Sequence, residues 1–164
     1  MPNWCSNTIE IQGTKEQINK FVSFLEEKNG KEWFDFFNPT PAELKEDGWY
    51  TWNVDNWGTK WNCDAQDWIS IFNPNEDEAS VSFWFDSAWA PPIALYEYIE
   101  SNTQLTVTAS YLEEGMQFVG QFVDGEDEYY EYTDLESLED IPENLVEEWN
   151  LIDSLESREE WDDE

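Results

Sequence analysis

Residues 7 to 12, Asn-Thr-Ile-Glu-Ile-Gln, alternate apolar and polar positions and stop at Gly13, the pattern of a half-buried strand. A helix is expected directly afterwards. Thr14 and Gln17 have the spacing of a capping box, Ile18, Phe21, Val22 and Leu25 recur at helical intervals, and Gly30 supplies a stop. Residues 31 to 66 are crowded with aromatics, among them Trp33, Phe34, Phe36 and Phe37, yet show neither period cleanly, and read as a long aromatic insertion.

Alternation returns in 68 to 72 and 79 to 85, joined by the turn-rich Asn73-Pro74-Asn75-Glu76-Asp77, which predicts a hairpin. Pro91 and Pro92 then introduce a helix near Ile93 carrying Leu95, Tyr96 and Ile99, and 105 to 111 alternates as another strand. The order βαββαβ is that of a split βαβ sheet, so the predicted class is α+β with a ferredoxin-like core. Two further strands, 117 to 123 and 128 to 133, extend it as a meander through the Glu113-Glu114-Gly115 and Asp124-Gly125 turns. The pattern places the domain at 1–133, with its insertion at 31–66, and an acidic helical extension at 134–164. In that extension Leu145, Trp149 and Ile152 are expected to form one stripe opposite Glu143, Glu147, Asn150 and Ser154, with fraying beyond Leu155.

Charge is the dominant feature of the composition. The 164 residues carry 39 acids against 7 bases, no histidine, and a formal net charge of −32. Such self-repulsion costs stability, and solubility needs a magnitude of only about 2 to 8 in a small domain. The charge is also polarised, because all six lysines fall within the first sixty residues, whereas from Trp61 onward Arg158 is the single base among 29 acids. These carboxylates cannot be neutralised internally, so they are solvated or await a cationic partner. Duplex DNA carries one charge per about 1.7 Å, so −32 equals the charge on roughly 54 Å of helix.

Other chemistry is thinly represented. No apolar run approaches the roughly 20 residues of a membrane span, and the first residues are unlike a signal peptide, which makes the cytosol the expected location. Cys5 and Cys63 read as free buried thiols, since without histidine they cannot complete a zinc site. No metal site and no cofactor is expected. Asp124-Gly125-Glu126-Asp127-Glu128 lacks the alternating ligands of a calcium loop, and no nucleophile elbow or phosphate-binding loop occurs. Single-stranded nucleic acid would find aromatics here but no basic groove, so direct nucleic-acid binding is not expected. Lys60 between Trp57 and Trp61 is read as a lysine stem lying across indoles rather than as a catalytic amine.

Four segments carry a resemblance. Pro2-Asn3-Trp4-Cys5-Ser6-Asn7, Trp57-Gly58-Thr59-Lys60-Trp61, Phe85-Asp86-Ser87-Ala88-Trp89-Ala90-Pro91-Pro92, and the set Tyr111, Glu113, Gly115, Phe118 and Gly120 occur in one order. Together they resemble a family of small phage- and plasmid-encoded proteins. The resemblance spans about residues 2 to 123 and implies a ferredoxin-like core and a host cytoplasm. It brings no catalytic residues, and it leaves the acidic segment after Val123 unmatched.

The resulting expectation is a non-enzymatic, phage-type acidic inhibitor. It would imitate nucleic-acid charge and block the nucleic-acid site of a basic host DNA- or RNA-binding protein, for example a defence nuclease. The expected contact surface comprises Glu113, Glu114, Asp124, Glu126, Asp127, Glu128, Glu131, Asp134, Glu136, Glu139, Asp140, Glu143 and Glu147. A rival reading places the contact on exposed aromatics of the insertion, Trp52, Trp57 and Trp61, with charge serving solubility. A carboxylate-dependent hydrolase is a third, although no acid pair stands out by spacing.

Overall fold

Strand β1 (Trp4–Gly13) occupies the middle of the molecule, with β3 (Ala79–Ala88) on one side and β4 (Thr106–Glu113) on the other, both antiparallel. The computed structural model describes residues 3–162. With β2 (Gln66–Phe72), β5 (Phe118–Val123) and β6 (Glu126–Glu131) the sheet has six strands in the order β2-β3-β1-β4-β5-β6. The first four strands reproduce the split βαβ arrangement, and β5 and β6 continue it as the expected meander.

Helix α1 (Lys15–Lys28) begins at the anticipated capping box. Thr14 Oγ1 accepts from Gln17 N at 3.2 Å, and Gln17 Oε1 accepts from Thr14 N at 3.0 Å. Its apolar stripe, Ile18, Phe21 and Leu25, meets Ile9 and Ile11 of β1 and Val81, Phe83 and Phe85 of β3. Helix α3 (Ile93–Asn102) adds Leu95, Tyr96 and Ile99 to the same core, so both crossover helices share one face of the sheet.

The aromatic insertion resolves into two short 3-10 turns, Trp33–Phe36 and Ala42–Leu44, and helix α2 (Trp49–Trp57), which periodicity did not reveal. Its most enclosed inward positions are Asn53 and Trp57, while Val54 points outward, so the hydrophobic period is smeared. Aromatic and β-branched residues are also indifferent helix formers. Trp33 and Phe34 are fully enclosed, Trp33 lying edge-on to Phe83 and Phe85 with ring centroids 5.1 Å apart in each case.

The other face of the sheet is covered over its β4–β6 half. Leu112, Val119 and Tyr132 pack there against Leu138, Ile141, Leu145, Val146, Leu151 and Leu155. Residues 138–155 of the acidic extension are thus packed against the sheet. Its single expected helix is two, α4 (Glu143–Glu148) and α5 (Leu151–Asp162), separated where Asn150 turns left-handed at φ 51°. That break shifts the register. Leu151 and Leu155 turn inward instead of Ile152, which is 48% exposed, and α5 continues helical to Asp162 where fraying was expected beyond Leu155.

Candidate binding surface

A strand at a sheet edge leaves backbone groups unpaired, and charge along it discourages further strand addition. Strand β6 is such an edge and carries four acids in six residues. Pairing with β5 sends Glu126 and Glu128 to the face that holds α4, and Asp127 and Glu131 to the opposite one. Gln121 Nε2 donates to Glu128 Oε2 at 2.6 Å, and Asn144 Nδ2 donates to Gln121 Oε1 at 3.0 Å. This amide chain ties Glu128 of β6 to α4, where Glu143 and Glu147 are exposed.

The remaining expected acids divide by role. Glu114, Asp124, Glu136, Glu139 and Asp140 are exposed, as is Asp134, whose carboxylate accepts from Ser137 N at 2.9 Å. Glu113 does not belong to the surface. It is 1% exposed, and its carboxylate accepts from Gly115 N at 2.6 Å and Met116 N at 2.9 Å, which folds the β4–β5 turn. Among the described residues one ion pair forms, Lys20 with Glu16 at 3.3 Å. Apart from Glu113, the acids of the expected surface therefore face solvent without cationic partners among the described residues.

Among the described residues two carboxyls are held above the ordinary value of 3.8. Burial raises both Asp86 and Asp127, and at Asp127 the hydrogen bond from Tyr111 partly opposes it. Each favours its protonated form more in the folded chain than in the unfolded one, so its stabilisation is complete below about 3.8 and lost as pH rises through the elevated value. The melting temperature should consequently rise on acidification from neutrality, with relief of self-repulsion acting in the same sense. Melts across a pH series check this, and a flat or falling profile toward acid would contradict it.

The rival aromatic surface is corrected by burial. Trp57 is 2% exposed, its Nε1 donating to the Asn38 carbonyl at 2.8 Å, and Trp52 is half-buried against the core with its ring 5.7 Å from Trp57. Trp61 alone of the three is exposed. Lys60 Nζ sits 4.3 Å from its ring centroid, over an exposed indole. Burial also drives the Cys5 and Cys63 thiols well above their ordinary range, and both are free.

The motif residues converge on one another. Asn7 Nδ2 donates to Ser87 Oγ and to the Cys5 carbonyl, both at 2.9 Å; Ser87 Oγ donates to the Ala90 carbonyl at 2.7 Å; Thr59 Oγ1 donates to the Ala88 carbonyl at 2.8 Å. Gly58, at φ 93°, ends α2 where a Cβ would press on the backbone of Pro91, Ile93 and Ala94. Tyr111 crosses Gly120 to donate to Asp127 Oδ1 at 2.6 Å. These segments brace β1, β3, α2 and α3, and their polar groups are largely occupied in doing so.

Sequence reasoning missed a groove of about 460 Å³ on the sheet face beyond the cover of α4. Thr8 and Ser110 form part of its floor, and Glu148 Oε1 accepts from both hydroxyls, at 3.0 and 2.7 Å. Trp84 lies across its β2 side, pinned by donation from Nε1 to Asp67 Oδ2 at 3.0 Å. The alternation of β3 put Trp84 on the opposite face from Phe83 and Phe85, which was the available signal. Among the described residues no cluster of acids and cysteines is arranged to hold a metal ion, and no helix is long and apolar enough to cross a membrane.

A family model described as "Ferredoxin-like domain in Api92-like protein" matches residues 57–160, more than half of the chain. The matched span begins at Trp57 and includes the C-terminal helices that the motif resemblance left out. It excludes β1, the central strand. No curated protein and no solved structure matches.

Proposed function

The chain belongs to the family of ferredoxin-like domains in Api92-like proteins, and from that premise we propose that it is a phage-type acidic inhibitor acting in the host cytoplasm. It binds a basic DNA- or RNA-binding host protein and occupies that protein's nucleic-acid site without catalysis. The observation that carries this reading is the run of exposed, unpaired carboxylates over the β5–β6 hairpin, residues 134–140 and α4, in a chain of net charge −32. A surface of one sign raises encounter rates with its opposite and loses that advantage as salt screens it.

The test is recovery of host proteins on the immobilised chain, followed by displacement with duplex DNA and with salt. Replacing Asp124, Glu126, Asp127, Glu128 and Glu131 by the corresponding amides should slow association by about tenfold or more. Folding should survive, since an Asn at 127 still offers Tyr111 an oxygen. Binding that is insensitive to salt and to these five changes would remove the electrostatic reading.

A further inference from the structure

The second face of the sheet is covered by α4 and α5 only over β4, β5 and β6. At β1 Glu148 reaches across to Thr8, and over β2 and β3 no helix of the described residues packs on this face. There Ile69 and Ile71 of β2 are 65% and 60% exposed, and their pairing with Ser82 and Ser80 of β3 puts them on the same face as Trp84, itself 44% exposed. Three large apolar side chains in one open patch exceed the scattered exposure that a surface ordinarily shows. The β2 edge also lacks the dense charge that blunts β6.

We propose that this bare half-face and its groove form a docking site for a cationic amphipathic helix of a partner protein, laid beside α4. Charge complementarity selects the occupant. The groove is lined by Glu10, Asp67 and Glu148 and by none of the chain's seven bases. Glu148 has one oxygen committed to Thr8 and Ser110, which orients the carboxylate over the floor and leaves Oε2 for an incoming ammonium or guanidinium. Trp84, fixed by Asp67, offers a ring face to an apolar residue or to the stem of a lysine or arginine. A second copy of this chain would bring another charge of −32 against the first, which disfavours self-association through this face. The inference rests on the proposed function only for the existence of a cationic partner protein, and it centres the specific contact on β2, β3 and Glu148, on the sheet face that Glu126 and Glu128 also share.

The experiment uses the full chain and three labelled eighteen-residue peptides read by fluorescence anisotropy. One has leucines on one helical face and lysines on the other; a second replaces the leucines by serine; a third replaces the lysines by glutamate. The Lys/Leu peptide should bind at least tenfold more tightly than either control. The double variant Ile69→Thr, Ile71→Thr, which keeps β-branched residues in β2, should lose that preference while the five-amide variant of the β6 region keeps it. Trp84→Thr provides an independent variant should the double one fail to fold. Equal binding of the Lys/Leu and Lys/Ser peptides, or an unchanged preference in both groove variants, overturns the proposal. So does sedimentation of the wild type as a dimer that the Ile69→Thr, Ile71→Thr change dissociates. None of these arms uses a host nucleic-acid-binding protein, so their outcome is separate from that of the inhibitor reading.

Discussion

Trp57→Ala is expected to destabilise the fold by about 3–5 kcal/mol, the usual cost of deleting a buried aromatic, and to lower the melting temperature by roughly 10 °C. The indole contacts Phe34, with ring centroids 5.0 Å apart, and Trp52, and its Nε1 donates to the Asn38 carbonyl at 2.8 Å. Truncation would open a cavity where α2 meets the rest of the core and leave that carbonyl without its partner. Thermal melts with near-ultraviolet circular dichroism test this. If Trp57 were instead a contact residue, the variant would lose binding and keep its melting temperature.

That contrast marks how far the insertion could be read. The abundance of aromatics between Lys31 and Gln66 was plain, but abundance does not tell packing from display. The decision lies in long-range geometry, because Trp33 is enclosed by Phe83 and Phe85 some fifty residues away. The ferredoxin-like order was legible because β1, β3 and α1 each bury one face and so carry a clean period. Helix α2 buries Asn53 at the centre of its inward face, satisfied by Thr40 Oγ1 at 2.6 Å and the Lys60 carbonyl at 2.8 Å, and a polar residue at that position erases the signal.

The site divides in the same way. Exposure of most acids followed from charge arithmetic, since seven bases cannot neutralise 39 acids. Glu113 was misplaced because arithmetic does not locate a carboxylate that backbone amides can bind inside a turn. Of the groove, only the outward placement of Trp84 by the β3 alternation could be read. The groove itself depends on Asn150 breaking the last helix, which fixes where the cover ends and leaves Glu148 free to reach Thr8 and Ser110. Local patterns record which face of an element is apolar, whereas the extent of its cover is a property of the assembled fold.

Gly120→Ala should be about as damaging as the loss of Trp57, by overpacking rather than by a cavity. Gly120 lies in β5 between Tyr111 of β4 and Tyr129 of β6. An added Cβ would run into the Tyr111 phenol and the Glu128 carbonyl. The Tyr111 ring is almost fully enclosed and cannot swing away without giving up its 2.6 Å bond to Asp127, and the carbonyl belongs to the backbone of β6. Overpacking of this kind costs about 1–3 kcal/mol, and displacing the phenol adds about 1–3 kcal/mol for a buried hydroxyl left without its acceptor. A total of about 2–6 kcal/mol is therefore expected, with β6 detaching first because β5 is its only strand neighbour among the described residues. A double-mutant cycle isolates the cause. Tyr111→Phe alone should cost about 1 kcal/mol, and in that background the penalty of Gly120→Ala should fall by about 1 kcal/mol, because no hydroxyl is left to lose its acceptor while the clashes with the ring Cζ and the Glu128 carbonyl remain. Denaturant melts of the four proteins measure the coupling. Strict additivity would mean that Tyr111 does not lie across Gly120, and the account of this motif as a packing device would have to be given up.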